Sequence, residues 1–384
     1  MILIRLQPLL VFLTITALTL MTGCGNAPAP HKSAAGGEEV SYNPRHAKGF
    51  SIREAGDTTF LKVINPWQFA SDVKFEYALV PEASKDDMLR IKVPVQRVVC
   101  MSTTHVAFVS ALEQTDAICG ISGVAHVSDS AVRRMYVEKK LFDVGYDAGL
   151  SYELLYSLRP DVVFAYGVKG EFAVVEKKLN ELGIKVVYFG EYLEDTPLGK
   201  AEWLIPVSLF FGKREKAEIL FDEIESDYEL AKKTVADAAI TKPKVMLNMP
   251  FKDVWYLPGN KGYMSEFLRD AGCNYIYSDY NERESYPASI EKAYALAQQA
   301  DFWIIGDPVR SLNEIRRIDP RLAEIPAFKN GRVYNNNFRT NESGGNDFWE
   351  AGTVKPNLIL RDLIKIFHPD LLPQYEFYFY EKLF

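Results

Sequence analysis

The chain has 384 residues, 48% hydrophobic and 25% charged, the balance of a globular protein long enough for two domains. Its net charge of −7 argues against nucleic acid as a partner. Beyond the N-terminus no apolar run approaches the roughly 18 residues that a membrane span needs. The 21 Tyr and 23 Phe exceed what a core must hold and suit a protein that covers a large, partly apolar ligand.

Residues 1–23 read as a signal peptide, with Arg5 as its positive end and an apolar run over 9–20. Met21, Thr22 and Gly23 then lead into Cys24, an arrangement that resembles the lipobox of bacterial lipoproteins. That resemblance implies cleavage before Cys24 and lipid attachment to its sulfur. Residues 24–39 follow as a Gly/Ala/Pro-rich tether.

Short alternating stretches broken by Gly, Asp and Pro predict an N-terminal β extension over 40–96. From Arg97 the pattern changes to strands alternating with helices. RVVCMS, DAICGIS, DVVFAYG and IKVVYFG read as buried strands. STTHVAFVSALEQ, GLSYELLYSLRP and EFAVVEKKLNELG read as helices, the first capped by Ser102, Thr103 or Thr104. Such alternation implies a parallel sheet with right-handed crossovers, an α/β lobe over 97–198.

Residues 199–242 form a linking region around one long helix at 213–239, a stretch without Gly or Pro. Its apolar residues Ala217, Leu220, Phe221, Ile224, Tyr228, Ala231 and Val235 make a single stripe, and its length is roughly 40 Å. A second α/β lobe, 243–384, contains the strands KVMLNM, DVWYLPG, CNYIYS and DFWIIGD and the helices GYMSEFLRDAG and SIEKAYALAQQA. RLAEIPAFKNGRVYNN reads as helix then strand, and a helix over VKPNLILRDLIKIFHPDLL closes the lobe. The lobes share a pattern: Ser151, Glu153 and Asp161 precede one apolar strand as Ser289, Glu291 and Asp301 precede another. The fold class is therefore two parallel-sheet α/β lobes joined by a long rigid helix, with a cleft between them.

Parallel sheets present ligands at the C-terminal ends of their strands. Loops that would face the cleft include Thr103 to His105, Gly123 to His126, Tyr166 to Lys169, Glu191 and Tyr192, Trp255 and Tyr256, Asp307 to Arg310, and Asn335 to Arg339. The candidate ligand-binding residues are Thr104, His105, Tyr166, Lys169, Tyr192, Trp255, Tyr256, Arg310 and Arg339. Trp255 also reads as core, and Arg310 and Arg339 also read as solvated or ion-paired cations. His105 and His126 follow neighbouring strands, but no third metal ligand joins them. Cys100, Cys119 and Cys273 show no CxxC spacing and read as buried thiols, with a Cys100–Cys119 bridge possible. The sequence carries no GxSxG, HExxH or Walker loop. No catalytic residue, metal site or resident cofactor is expected.

Taken in order, 97–122, 144–167, 212–229, 289–307 and 327–337 resemble the substrate-binding proteins of ABC importers for siderophores, haem and cobalamin. Residues 352–373, ending in HPDLLP, resemble that family's closing helix. The extension resembles the N-terminal region of Bacteroidetes-type lipoprotein versions. The resemblance implies capture of an iron chelate or corrinoid by a monomer anchored to the cell envelope and facing the periplasm. It also implies docking of Glu153 and Glu291, one per lobe, onto Arg residues of a membrane permease. As plain first-turn acids, both also complement their helix dipoles. Two departures from the family pattern are Ala107 in place of Glu and Glu113 in place of Gly, the latter bearing on the end of the first helix. The rigid helix implies modest closure rather than a wide hinge. Two other readings remain open: a stand-alone haem or cobalamin carrier or sensor, and an exported α/β enzyme acting on a bound chelate.

Overall fold

Hydrophobic alternation in the first part of the chain builds a five-stranded sheet, β1 (Val40–Tyr42), β2 (Phe50–Ala55), β3 (Thr58–Ile64), β4 (Lys74–Val80) and β5 (Arg90–Lys92), in sequential order. The first four strands pair antiparallel, and β5 joins β4 in parallel. One face is buried through Phe50, Ile52, Leu61, Val63, Tyr77 and Leu79, as a half-covered antiparallel sheet requires. The computed structural model describes residues 40–84, 87–146, 149–167 and 172–384. The predicted signal peptide, Cys24 and the tether lie outside the described residues.

The first α/β unit runs β6 (Val98–Cys100), α1 (Thr103–Ala111), β7 (Ile118–Ile121), α2 (Ser130–Val137), β8 (Phe142–Asp143), α3 (Tyr152–Leu158), β9 (Val162–Ala165), α4 (Phe172–Glu181) and β10 (Val186–Tyr188). Its sheet is parallel throughout, in the order β10-β9-β6-β7-β8. The helix starts follow their side chains. Ser102 accepts from the Thr104 N–H, Asp129 from Ala131 and Val132, and Ser151 from Leu154. Neither α2 nor β8 is foreseen in the sequence, because a two-residue strand carries no periodicity. Cys100, Cys119 and Cys273 are buried free thiols, and burial pushes the Cys119 thiol up to about 11.

Then come α5 (Pro197–Glu202), α6 (Leu204–Leu209) and the long α7 (Arg214–Ala236). The last buries Ala217, Phe221, Ile224, Tyr228, Ala231 and Val235, and leaves Leu220 half-buried at the edge of the stripe. The second unit runs β11 (Lys244–Leu247), β12 (Pro250–Phe251), β13 (Val254–Leu257), α8 (Tyr263–Asp270), β14 (Asn274–Tyr275), β15 (Tyr286–Ser289), α9 (Ile290–Ala297) and β16 (Phe302–Ile305). It continues through α10 (Leu312–Ile318), α11 (Pro326–Lys329), β17 (Val333–Asn335), α12 (Pro356–Phe367) and β18 (Glu381–Lys382). Its main sheet has the order β14-β11-β16-β17-β18, parallel except for β18. Strands β12, β13 and β15 form a separate antiparallel sheet. The long helix packs against both α6 and α12 and so touches elements on either side of it.

The repeated Ser/Glu/Asp pattern has a structural counterpart. Ser151 and Ser289 each cap a helix whose first turn carries Glu153 or Glu291. Asp161 accepts the N–H groups of Gln96 and Arg97 at the start of β6, at 2.7 and 2.9 Å. Asp301 accepts the Lys244 N–H at the start of β11, at 2.8 Å. In both sheets this Asp aligns a strand with its parallel neighbour, so the two lobes repeat one construction. Among the described residues no helix is long and apolar enough to cross a membrane.

Candidate ligand-binding site

The C-terminal edges of the two parallel sheets face each other and are joined at both ends. On the β10/β14 side, Arg283 Nε lies 3.1 Å from Asp195 Oδ1. On the β7/β17 side, Asn341 Nδ2 donates to the carbonyls of Ala125 and Val127, at 3.1 and 2.9 Å. There also the N–H groups of Ser128 and Asp129 donate to Glu350, at 2.7 and 2.8 Å. The cleft lies between these two seams.

Its floor holds a buried polar cluster. Thr104 Oγ1, in the first turn of α1, donates to Glu191 Oε1 at 2.6 Å. His105 Nε2 stands 4.0 Å from the same oxygen. Glu191 is 1% exposed, and its Oε2 has no hydrogen-bond partner among the described residues. Burial lowers the pKa of His105, so the ring is neutral at pH 7. The Lys200 ammonium of α5 lies 4.0 Å from the centre of the Tyr263 ring in α8, across the lobe junction. Burial pulls Lys200 down to about 8; Arg283 lowers it further, and Glu191 and Glu194 partly offset this. Above the floor, Tyr166 and Tyr192 pack edge to face at 6.4 Å, and the Tyr192 hydroxyl donates to the Gly167 carbonyl.

Of the residues expected from the sequence, Thr104, Tyr166 and Tyr192 stand at the edge of the first lobe, and Tyr256 is about half exposed on β13 of the separate antiparallel sheet. Lys169 lies outside the described residues. Arg310 is exposed on the loop after β16. Three candidates are engaged within the protein, two of them as their alternative readings, core for Trp255 and ion pair for Arg339, expect. Trp255 is fully buried; its indole donates to the Leu247 carbonyl and its ring packs on Trp303, because in β13 it points inward while Tyr256 points out. His105 is fully buried beneath the floor, so it sets the surroundings of Glu191 rather than reaching into the cleft. Arg339 is ion-paired to Asp347 at 2.7 Å and lies over the Tyr378 ring, so its charge is already matched.

Several residues were not singled out. Lys200 interacts electrostatically with Glu191 and Arg283, and in GKAEWLIP it stands with Glu202 in an otherwise apolar helical stretch that gives no sign of its place in the fold. Large aromatics stand exposed on loops or the hairpin after strand ends: Tyr146 after β8, Phe251 after β11, and Phe338 and Trp349 after β17. Glu153 and Glu291 are both exposed. Among the described residues no group of three or more His, Cys, Asp or Glu is placed to hold a metal ion.

The arrangement can enclose a ligand between two preformed walls, with aromatic surface around it. Comparisons with known proteins agree with this architecture. A family model described as periplasmic binding protein matches residues 98–339. An uncharacterised lipoprotein of Methanocaldococcus jannaschii is 31% identical over 349 residues, 85% of this chain and 83% of that protein. A periplasmic binding protein of Veillonella parvula superposes with a TM-score of 0.57 at 17% identity, covering 79% of this chain and 97% of that one. A periplasmic haem-binding protein of Pseudomonas aeruginosa gives a TM-score of 0.55 at 20% identity, covering 72% and 93%. At such identities the structural likeness is one of fold, but the family match and the lipoprotein relative go further. The chain belongs to the periplasmic binding protein family.

Proposed function

We propose that this protein is the lipid-anchored substrate-binding component of an ABC importer, and not an enzyme. It captures an iron chelate, haem or cobalamin between its lobes and hands it to a membrane permease. The observation that carries the reading is the pair of facing strand edges, with the Tyr166 and Tyr192 rings packed edge to face over a polar floor at Glu191 and Lys200. Rings supply stacking and dispersion area for a macrocycle or catecholate. Lys200 supplies a cation for an acidic arm. The periplasmic haem-binding protein with the same fold supports this ligand class. The anchor is the lipid on Cys24, a reading supported by the relative named as a lipoprotein.

Glu153 and Glu291 are the docking acids in this scheme. Each is exposed in the first turn of a Ser-capped helix, at equivalent positions of the two lobes. The test uses Glu153→Ala/Glu291→Ala in cells lacking the wild-type gene, with uptake and ligand affinity measured side by side. Uptake is expected to be lost while affinity stays unchanged. Undiminished uptake would exclude docking through these acids. An absorbance and mass spectrum of protein from its native host identifies the ligand, since corrinoid, haem and ferric chelate absorb differently.

A further inference from the structure

The loop between β3 and β4 of the β extension packs on the first lobe beside the end of β9. That loop is closed at its base: the Asn65 N–H donates to the Val73 carbonyl at 2.8 Å, and the Val73 N–H to Asn65 Oδ1 at 3.0 Å. Trp67 anchors it to the first lobe. Its indole packs edge-on against Tyr188, 5.5 Å between ring centres, and covers Gly167, where a Cβ would meet the ring at 2.8 Å. Gly167 follows Tyr166 at the end of β9, so the loop is keyed to the cleft edge itself.

Two observations set the loop apart from a structural turn. Asn65, Phe69 and Asp72 all have positive φ, at +47°, +65° and +60°. Asn and Asp tolerate that region, but a bulky Phe does not adopt it without strain, which is typical of segments held for function. The strained residue is also the exposed one: Phe69 is 79% exposed at the tip. It borders a cavity of about 480 Å³ walled by all three parts of the chain: Lys48 and Phe69 from the extension, Tyr192 and Asp195 from the first lobe, and Tyr263 and Arg283 from the second.

We infer that the 65–73 loop is a third wall of the ligand site, with the Phe69 ring seated against an apolar face or edge of the bound chelate. This rests on the function proposed above and narrows it to chelates with a large apolar or aromatic surface extending from the cleft toward the Asp195–Arg283 seam. A small hydrophilic chelate would fill the floor and leave Phe69 in water.

The test compares wild type, Phe69→Asn and Phe69→Tyr for binding of haemin, cyanocobalamin and a ferric tris-catecholate, followed by tryptophan quenching and calorimetry. Asn keeps the left-handed backbone at lower strain and removes the ring, so the fold is preserved. For whichever probe wild type binds, Phe69→Asn is expected to raise Kd about tenfold, the scale of a lost aromatic contact, and Phe69→Tyr to restore it. Equal Kd values for wild type and Phe69→Asn overturn the inference and leave the importer reading standing. Equal Kd values with lost uptake assign Phe69 to the permease instead, which also overturns it. A wild-type protein that binds none of the three probes overturns both the chelate reading and this one.

Discussion

Glu113 follows α1 with φ at +58°, the left-handed conformation in which glycine carries no steric penalty. Its carboxylate reaches Lys216 at 2.5 Å, but that pair is exposed and contributes little. Glu113→Gly is therefore expected to raise the melting temperature by about 1–3 °C and to leave ligand affinity unchanged. A lower melting temperature would show that the Lys216 contact outweighs the backbone strain. This position was legible because the sequence resemblance placed glycine there. Ser151, Ser289, Glu153 and Glu291 were legible for a related reason: a cap and its helix lie within a few residues of each other. Lys200 and Arg339 were not, because what decides their roles lies elsewhere in the chain. Tyr263 lies across the lobe junction, and Asp347 and Tyr378 come from later loops. Trp255 could not be placed by pattern alone, since inward and outward positions in a strand alternate and a one-residue shift exchanges them.

Among the elements, the extension is held by two buried carboxylates of the segment that enters the long helix. Glu202 accepts the Tyr42 hydroxyl at 2.7 Å and the N–H groups of Arg45, His46 and Ala47, each at 2.8 Å. Glu194 accepts the N–H groups of Lys48 and Gly49 and the Trp203 indole. Gly49 is required there because a Cβ would stand 2.7 Å from the Trp203 ring. These bonds satisfy consecutive N–H groups of a segment outside any strand. Glu202→Ala leaves four donors without that acceptor and is expected to cost about 3 kcal/mol in urea unfolding. Amide exchange should accelerate at Arg45–Ala47 first; a loss of protection confined to α7 instead would show that Glu202 does not hold the extension. The strands of the extension and the alternation of the lobes were legible from periodicity. The separate β12-β13-β15 sheet was not, since its strands are two to four residues long. Nor was the Glu202 cradle, whose acceptor and donors are more than 150 residues apart.

At the scale of the whole molecule, the long helix is not the sole tie between the lobes. Its stripe matches the apolar pattern of the sequence, and the bonds at Asp195–Arg283, Asn341 and Glu350 hold the facing edges as well. Opening the cleft widely would break these bonds, so ligand is expected to change the scattering radius little. Glu350 makes the tie sensitive to pH. It is 2% exposed, and burial, with Asp347 and Asp129 nearby, pushes its carboxyl from 4.5 to about 7 despite the two N–H donors. Arg339 and Lys355 line a separate cavity together with Glu350. With the folded pKa above the unfolded one, the folded state keeps a proton that the unfolded state releases. This group's contribution to stability therefore falls as pH rises from about 4.5 to about 7 and stays low above that. Glu350→Gln has no such titration, although it gives up one of the two accepted bonds. Urea unfolding from pH 4.5 to 8 should show the stability gap between wild type and Glu350→Gln shifting toward the variant by about 3 kcal/mol. A gap that stays constant across the range would mean that Glu350 titrates as an ordinary surface acid, and that the lobes are tied without regard to its charge.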